Sequence, residues 1–184
     1  MRTVMMSLLA SMLFVVPTLQ TEAAPKVQAT PQVVSYVDLN RYVGLWYEIA
    51  SNPTAFEVGC VGTTAEYTAR PDGLIDVENR CYIRRIGGRE RIASGAAAVV
   101  DTTSNAKLNV SFSGTDPSTT GVGNYWVIDL DKNYQLAAVS DAKREYLWVL
   151  SRHKQVDAKT YQALLARIAA QGFDIQKLEL SPQP

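Results

Sequence analysis

Residues 43–50, VGLWYEIA, open the first predicted strand and determine how the fold begins. This strand carries a tryptophan, Trp46, two residues after Gly44. The indole has a large apolar surface and loses side-chain freedom when a fold holds it, so it has to be buried. Gly44, which has no side chain, allows the chain to pass closely beneath it. The stretch therefore predicts a tryptophan that closes one end of the domain in a structural role.

The chain from this strand to about residue 155 has the pattern of an antiparallel β protein. Short segments rich in Val, Ile, Tyr and Thr alternate with turn signals at a spacing of roughly eight to twelve residues. Six turns separate the seven segments that follow the first strand, and they lie at residues 69–73, 84–90, 101–105, 114–121, 129–133 and 140–145. Eight strands joined by short hairpins predict an all-β fold, an eight-stranded antiparallel up-and-down β-barrel without exposed sheet edges.

A change of period after residue 156 predicts one amphipathic helix. Apolar side chains recur at helical spacing over residues 161–168, Asp157 is a suitable N-cap, and Gly172 is a suitable C-terminal stop. Two predicted strands, at 126–128 and 146–150, are apolar on both faces and need a cover outside the barrel as well as a core inside. We expect the C-terminal helix to pack on the outside of these strands, with one short extended strand after it.

The composition limits the classes of function. The chain has 184 residues, enough for one domain with a sizeable core, and its 18 Lys and Arg residues balance 18 Asp and Glu residues. A net charge of zero argues against a nucleic-acid binder that relies on bulk electrostatic attraction.

The N-terminal residues differ from the rest of the chain. A basic start, an apolar run at residues 8–16 and small residues near position 24 predict that residues 1–24 are a secretory signal peptide. The alternative is an N-terminal anchor that stays attached, although the run is short for a bilayer span. Residues 25–35 are predicted to be a flexible lead-in, and residues 36–184 the folded domain.

Cys60 and Cys81 are the cysteines of the chain. An even number of cysteines in an exported protein predicts one disulfide, and two buried free thiols are the alternative. A bond between them would leave no thiol for chemistry.

The topology brings two distant residues together at the closed end. Successive turns of an up-and-down barrel alternate between its ends, so the start of the first strand and the finish of the eighth lie at the same end. Trp46 lies near the former and Arg152 near the latter. A guanidinium over an indole face contributes about 0.5–2 kcal/mol. We predict a floor in which Arg152 lies across Trp46 and Gly44 passes beneath.

Period-two alternation assigns an inner face to every strand. The second strand, TAEYTA at residues 64–69, alternates cleanly and sets the phase. The predicted ligand-binding positions are Ala65, Tyr67, Val77, Asn79, Val110, Phe112, Tyr125, Tyr146 and Trp148. An eight-stranded barrel encloses room for one small ligand. Several small inward residues argue against the alternative, a barrel filled by its own side chains.

Two basic connections are predicted at the open end. They contain Arg84, Arg85, Arg89 and Arg91 after the third strand, and Lys143 and Arg144 after the seventh. Arg84, Arg85 and Arg89 are the predicted headgroup rim. A cationic rim suits the carboxylate or phosphate headgroup of a ligand whose tail lies inside, and a solvated hairpin tip is the alternative. Phe56, in the long connection after the first strand, is a candidate flap or a point of transient membrane contact.

Catalytic signals are few. His153, the single histidine, is expected near the closed end, and the chain has no GxSxG elbow. One histidine and two cysteines do not form a zinc set of normal spacing, so neither a metal nor a cofactor is expected. Glu48 is the exception, because a carboxylate buried near Trp46 would need a partner such as an arginine and is a candidate for acid–base chemistry.

Three stretches resemble the motifs of a known family. LNRYVGLWYEIA (39–50) is similar to the Gly-x-Trp signature of the lipocalins, YWVIDLDKNYQLAAV (125–139) to their second motif, and YLWVLSRH (146–153) to the third, whose hallmark is an arginine. The resemblance covers about residues 36–183 and is strongest for the bacterial lipocalins, and through them for apolipoprotein D and the plant temperature-induced lipocalins.

The resemblance implies a calyx that binds and transports or stores small hydrophobic ligands, namely fatty acids, phospholipids or lysophospholipids of the bacterial cell envelope. In the apolipoprotein D branch, pocket contacts match Asn79, Phe112 and Trp148. Many bacterial relatives carry an acylated N-terminal cysteine that this chain lacks, so a soluble periplasmic or secreted carrier is expected. Two alternatives stay open: an isomerase-like enzyme in a lipocalin shell, and a surface-interaction protein with a vestigial cavity.

Overall fold

The structure is a computed structural model that describes residues 30–184, and the predicted signal peptide lies outside the described residues. The helices are α1 (Leu39–Tyr42), α2 (Ala158–Ala170) and a 3-10 helix (Ile175–Lys177). The strands are β1 (Gly44–Ser51), β2 (Cys60–Ala69), β3 (Ile75–Ile83), β4 (Glu90–Val99), β5 (Lys107–Ser111), β6 (Tyr125–Leu130), β7 (Leu136–Ser140), β8 (Leu147–Ser151) and β9 (Glu179–Leu180).

The first eight strands close into a barrel. Each strand from β1 to β8 pairs antiparallel with the next, and β1 also pairs with β8. Trp46 of β1 lies opposite Ala65 of β2, and Tyr47 of β1 lies opposite Ser151 of β8. Every long strand therefore has two neighbours, and the predicted eight-stranded up-and-down barrel is confirmed.

Alternation of side chains along the strands separates two apolar layers. The inner layer includes Trp46, Val127 and Val139. The outer layer includes Trp126 and Val149, which pack with residues of α2. Strands β6, β7 and β8 contribute to both layers, which explains why parts of their sequences are apolar on both faces.

Helix α2 covers the outer layer as predicted. The side chain of Asp157 caps its start and accepts the N–H of Thr160 at 2.9 Å, and the chain leaves the helix through Gly172, which has a φ of +85°. Leu164 and Ile168 are fully buried against the outer faces of β6 to β8. Full burial of an aliphatic side chain contributes about 1.5–3 kcal/mol, so these two residues hold the helix on the barrel.

The predicted extended strand after α2 is wrong over most of its length. The side chain of Asp174 accepts the N–H of Gln176 at 3.2 Å and starts the 3-10 helix Ile175–Lys177. This local hydrogen bond competes with an extended backbone. Only the two residues of β9 form a strand, beside the end of β1.

The described part of the predicted flexible lead-in is packed on the barrel. Pro31 is buried, and the N–H of Val34 donates to the carbonyl of Val127 at 3.0 Å. Val33 packs against both apolar layers. Apolar surface on the lead-in therefore outweighs the tendency of this proline-containing stretch to stay free.

Candidate ligand-binding cavity

The barrel encloses a cavity of about 540 Å³. Its opening lies among the connections that follow β1, β3, β5 and β7, because successive connections alternate between the two ends. Phe56 and Phe112 line the cavity at this end, with 57% and 47% of their surface exposed. Small-molecule sites have volumes of about 300–1,000 Å³. The cavity is therefore large enough for a ligand, and the alternative of a barrel filled by its own side chains is wrong.

The cavity wall contains all nine residues that the alternation assigns to the ligand. They are Ala65, Tyr67, Val77, Asn79, Val110, Phe112, Tyr125, Tyr146 and Trp148. Antiparallel pairing explains the agreement, because residues opposite each other, such as Tyr67 and Val77, share one face of the sheet. A phase read from one strand therefore passes to its neighbours wherever the register is regular.

A β-bulge in β2 adds wall residues that simple alternation does not give. Thr63 and Thr64 are neighbours in sequence, and both line the cavity. The register of β2 against β3 shifts between Val61 and Thr64, and Gly62 at this point has a φ of +63°. The bulge breaks the two-residue period. Gly62 precedes the predicted second strand, residues 64–69, so the alternation alone does not indicate the bulge, although glycine within a strand often marks one.

The closed end is formed by an arginine laid across an indole. Cζ of Arg152 lies 3.9 Å from the centre of the Trp46 ring. The guanidinium also donates to the carbonyls of Leu45 at 2.7 Å and Val43 at 2.8 Å. Gly44 has a φ of +98°, and a Cβ there would lie 3.3 Å from Nη1 of Arg152. The three residues predicted for the floor thus lie together at the closed end.

Three tyrosines lie between this floor and the cavity. The hydroxyl of Tyr125 is 2.7 Å from that of Tyr42 and 3.0 Å from that of Tyr67. Burial raises the pKa of Tyr67 to about 12, and it also raises the pKa values of Tyr42 and Tyr125. All three phenols therefore stay protonated at physiological pH.

Glu48 is a buried carboxyl in the cavity wall, with 5% of its surface exposed. Burial, followed by the negative charge of Glu57, raises the pKa of Glu48 to about 7. Its Oε1 accepts hydrogen bonds from the hydroxyls of Ser51, at 2.8 Å, and Ser181. The prediction of an arginine partner for Glu48 is wrong. Arg152 donates to backbone carbonyls at the closed end, and the C-terminal segment brings the hydroxyl of Ser181 to the Glu48 carboxyl instead.

Aromatic side chains surround the second carboxyl at the mouth. Nε1 of Trp148 donates to both carboxylate oxygens of Glu57 at 3.3 Å. The rings of Tyr146 and Trp148 stack at 5.5 Å, and Phe56 lies 5.7 Å from Tyr146 and 6.4 Å from Trp148. Phe56, predicted as a flap, therefore packs on two predicted ligand-binding residues.

The cations of the mouth differ from the predicted rim. Arg84, Arg85 and Arg89 are exposed in the β3–β4 connection, and none of them lines the cavity. Arg91 does line it, and its Nη2 lies 2.7 Å from Sγ of Cys60. Arg91 is one of the inward-facing residues of β4, and it lies opposite Cys81 of β3. From the sequence, it is assigned only to the basic connection after the third strand.

Arg144 does not belong to the predicted cationic rim. Its Nη2 donates to the carbonyl of Gln171 at 2.9 Å, and its guanidinium lies 5.3 Å from the ring centre of Phe173. Both partners follow α2 on the outside of the barrel. The side chain therefore ties the β7–β8 connection to the end of the helix.

Cys60 and Cys81 form the predicted disulfide, which joins β2 to β3 beside the mouth. The bond removes the thiol that a cysteine-based reaction would need. Asn79 lies deeper on the same strand, and its buried Oδ1 has no hydrogen-bond partner among the described residues. The wall thus presents an acceptor to the cavity.

The C-terminal segment, residues 181–184, fastens the outside of the wall near Glu48. The N–H of Ser181 donates to the carbonyl of Ile49 at 2.9 Å, and Nε2 of Gln183 donates to the carbonyls of Glu48 at 2.6 Å and Thr63 at 3.0 Å. A second cavity of about 240 Å³ lies between this segment and the β1–β2 connection, and it shares Glu48 with the main cavity.

Comparison with known proteins identifies relatives over almost the whole described region. Residues 37–183 match the model of a lipocalin-like domain. The chain is 39% identical to temperature-induced lipocalin-1 of Arabidopsis thaliana over 156 residues, which cover 83% of this chain and 82% of that protein. It is 38% identical to outer membrane lipoprotein Blc of Escherichia coli K12 over 152 residues, 83% and 82% of the two chains. Apolipoprotein D of Macaca fascicularis is 32% identical over 161 residues, 84% and 81% of the two chains.

Solved structures share the fold at lower sequence identity. The major allergen Per a 4 from cockroaches aligns with a TM-score of 0.60 at 22% identity, over 84% of this chain and 96% of that chain. Insecticyanin from the tobacco hornworm Manduca sexta aligns with a TM-score of 0.59 at 16% identity, over 88% of each chain. At these identities the likeness concerns the fold alone.

Proposed function

The chain belongs to the lipocalin family, and from this premise we propose that it carries fatty acids, phospholipids or lysophospholipids in the bacterial cell envelope. Lipocalins bind small hydrophobic ligands. The observation that carries the proposal is the cavity of about 540 Å³, whose wall is formed largely by apolar and aromatic side chains. Each methylene of an acyl chain buried there contributes about 0.8 kcal/mol.

The phosphate headgroup of a phospholipid or lysophospholipid would lie at the mouth. Arg80 and Arg91 both line the wall, but Arg80 is paired with Glu78 and Glu90, so its charge is balanced. Arg84, Arg85 and Arg89 add positive charge in the adjacent connection. Guanidinium groups form strong charge-assisted hydrogen bonds with carboxylates and phosphates. We therefore assign the first contact with an anionic headgroup to Arg91 and a longer-range attraction to the three loop arginines.

We place the carrier in the periplasm or outside the cell. The sequence of residues 1–24 supports export, and the relative from Escherichia coli is named an outer membrane lipoprotein. Within residues 30–184, neither α2 nor any shorter helix has the length and apolar character needed to cross a membrane.

The direct test is native mass spectrometry of residues 25–184, purified from the exported compartment without detergent, followed by solvent extraction and lipid analysis. A discrete added mass that extracts as a fatty acid, phospholipid or lysophospholipid is expected. A bare polypeptide that also fails to take up added palmitic acid or lysophosphatidylcholine would refute the carrier function.

Two matched variants locate the site. Ala65→Phe places a ring in the cavity, whereas Thr68→Phe places the same ring on the exposed face of the same strand. We expect Ala65→Phe to weaken lipid binding at least tenfold and Thr68→Phe to leave it unchanged. For the headgroup, Arg91→Gln should weaken binding of lysophosphatidylcholine more than the combined change of Arg84, Arg85 and Arg89 to Gln. Equal affinities for all variants would contradict both assignments.

One observation favours a second candidate, an isomerase-like enzyme. Glu48 faces the cavity, and its pKa of about 7 suits proton transfer near neutral pH. Lipid recovered after incubation with the wild-type protein and with Glu48→Gln distinguishes the two functions. Chemical change of the lipid that depends on Glu48 would favour the enzyme, and unchanged lipid in both cases would favour the carrier.

A further inference from the structure

We propose that the inner end of the cavity is a binding site for an acceptor oxygen of the ligand, formed by the hydroxyls of Tyr42, Tyr67 and Tyr125. This inference rests on the proposed function, because it concerns the hydrophobic ligand that the cavity would hold. It defines which end of that ligand enters first and what chemical group this end carries.

The three phenols form one hydrogen-bonded chain. The hydroxyl of Tyr125 stands in the middle, 2.7 Å from the hydroxyl of Tyr42 and 3.0 Å from that of Tyr67. Tyr67 and Tyr125 belong to the cavity wall, and Tyr42 packs behind them with its ring centre 5.1 Å from that of Trp46. The hydroxyl chain thus lies where the cavity meets the floor.

A count of protons shows that this chain is incomplete. Three hydroxyls carry three protons, and the two contacts between them use two. Within residues 30–184, the hydroxyls of Tyr42, Tyr67 and Tyr125 have hydrogen bonds only with one another. One O–H is therefore left to donate, and a buried donor without an acceptor is unfavourable. The methyl end of an acyl chain would leave this O–H without an acceptor, whereas an oxygen of the ligand would accept its hydrogen bond.

The electrostatic surroundings favour an acceptor over a donor or a cation. Burial raises the pKa values of all three phenols, so they stay neutral donors. The positive charge of Arg152 lies directly behind, across the other face of the floor, and acts on Tyr42 and Tyr67. The group that fits is the oxygen of a carbonyl, a hydroxyl or a carboxylate at the inner end of the ligand.

Two kinds of ligand present such an oxygen. A fatty acid presents it when the carboxylate enters first. A lysolipid, whose large headgroup remains at the mouth, presents it when its acyl chain carries an oxygen on the last carbon. The test uses three probes: palmitic acid, palmitoyl lysophosphatidylcholine, and the same lysolipid with a hydroxyl on the last carbon of the chain.

Binding is measured by calorimetry for the wild-type chain, Tyr125→Phe and Tyr67→Phe. Tyr161→Phe is the matched control, because it removes a phenol oxygen from α2 on the outside of the barrel. Loss of one hydrogen bond corresponds to about a fivefold weaker affinity for a neutral acceptor, and about tenfold or more for a carboxylate. We expect a loss of this size in both Tyr125→Phe and Tyr67→Phe. It should affect palmitic acid if the carboxylate enters first, and the hydroxylated lysolipid if the end of the acyl chain enters first. The plain lysolipid should bind these variants and the wild-type chain equally.

Equal affinities of Tyr67→Phe, Tyr125→Phe and the control Tyr161→Phe for both oxygen-bearing probes would refute the proposal while leaving the carrier function intact. Failure of all three probes to bind the wild-type chain would refute the carrier function and the floor site together. Infrared spectra of palmitic acid labelled with ¹³C at the carboxyl give a readout in the wild-type chain that needs no variant. A carboxyl band identical to that in water would count against carboxylate-first entry.

Discussion

Replacement of Glu48 by Gln is expected to stabilise the protein at neutral pH. The carboxyl is buried in the cavity wall, and burial together with the charge of Glu57 raises its pKa from 4.5 to about 7. A Gln side chain has the same shape, and its Oε1 can accept the same hydrogen bonds from Ser51 and Ser181. The substitution therefore removes a titrating group while it keeps the contacts.

Proton linkage determines how this gain in stability depends on pH. Below pH 4.5 Glu48 is protonated in the native and in the unfolded chain, so the full stability is present. As the pH rises from 4.5 to about 7, the unfolded chain releases the proton while the native chain retains it, and stability falls. Above pH 7 the loss corresponds to on the order of 3 kcal/mol. The Gln variant lacks this dependence and should gain on the order of 2–3 kcal/mol over the wild type at pH 8, with no gain at pH 4.

Urea denaturation at pH 4, 5, 6, 7 and 8 measures the difference between the two chains. A gain of this size corresponds to roughly 5–10 °C in the midpoint of thermal unfolding for a chain of this length. Glu66→Gln removes a carboxylate from the exposed face of β2 and controls for the change in net charge. A Gln variant whose advantage over the wild type is the same at every pH, or negative at pH 8, would refute the assignment of the buried carboxyl.

Three further predictions concern the framework. Joint replacement of Cys60 and Cys81 by Ser opens a loop with a sequence separation of 21 and should lower the free energy of unfolding by about 3 kcal/mol; urea denaturation of this variant and of the reduced wild type should agree. Leu164→Ala should cost about 2–5 kcal/mol of stability, measured in the same way, and leave lipid affinity unchanged, because this leucine is fully buried outside the barrel. Arg152→Lys should lower stability by about 1–3 kcal/mol, since an ammonium cannot reproduce the fork that reaches the carbonyls of Leu45 and Val43; an unchanged melting temperature would contradict this.

Much of the inner face of the barrel was predictable because antiparallel pairing passes one phase from strand to strand between the bulges. The alternation of Ala65 and Tyr67 fixes β2, and pairing with Val77 and Asn79 transfers that phase to β3. In a closed barrel this transfer continues without an edge, so a single well-patterned strand predicts the wall. The helix was predictable for a similar reason, since strands that are apolar on both faces require an outer cover.

Contacts between segments far apart in sequence could not be predicted in this way. Ser181 reaches Glu48 across 133 positions, and Gln183 reaches the same residue across 135. No period or turn motif encodes such a contact, because it depends on where the 3-10 helix after α2 directs the chain. The bulge at Gly62 likewise displaces Thr63 from the regular alternation. The basic loop is predictable as a charge pattern, but only the geometry singles out Arg91 as its member on the wall.

The distribution of polar groups argues that the cavity is kept for a ligand rather than as a packing defect. A barrel selected for stability alone would hold glutamine in place of a carboxyl whose pKa is raised to about 7. It would also avoid an amide oxygen without a partner at Asn79 and a phenol chain in which three O–H groups form two hydrogen bonds. Glu48, Asn79 and two of the phenols, Tyr67 and Tyr125, line the same cavity from different strands. A ligand with suitably placed polar groups would satisfy the amide and the phenols together, and its binding would then offset much of the stability that the empty barrel lacks.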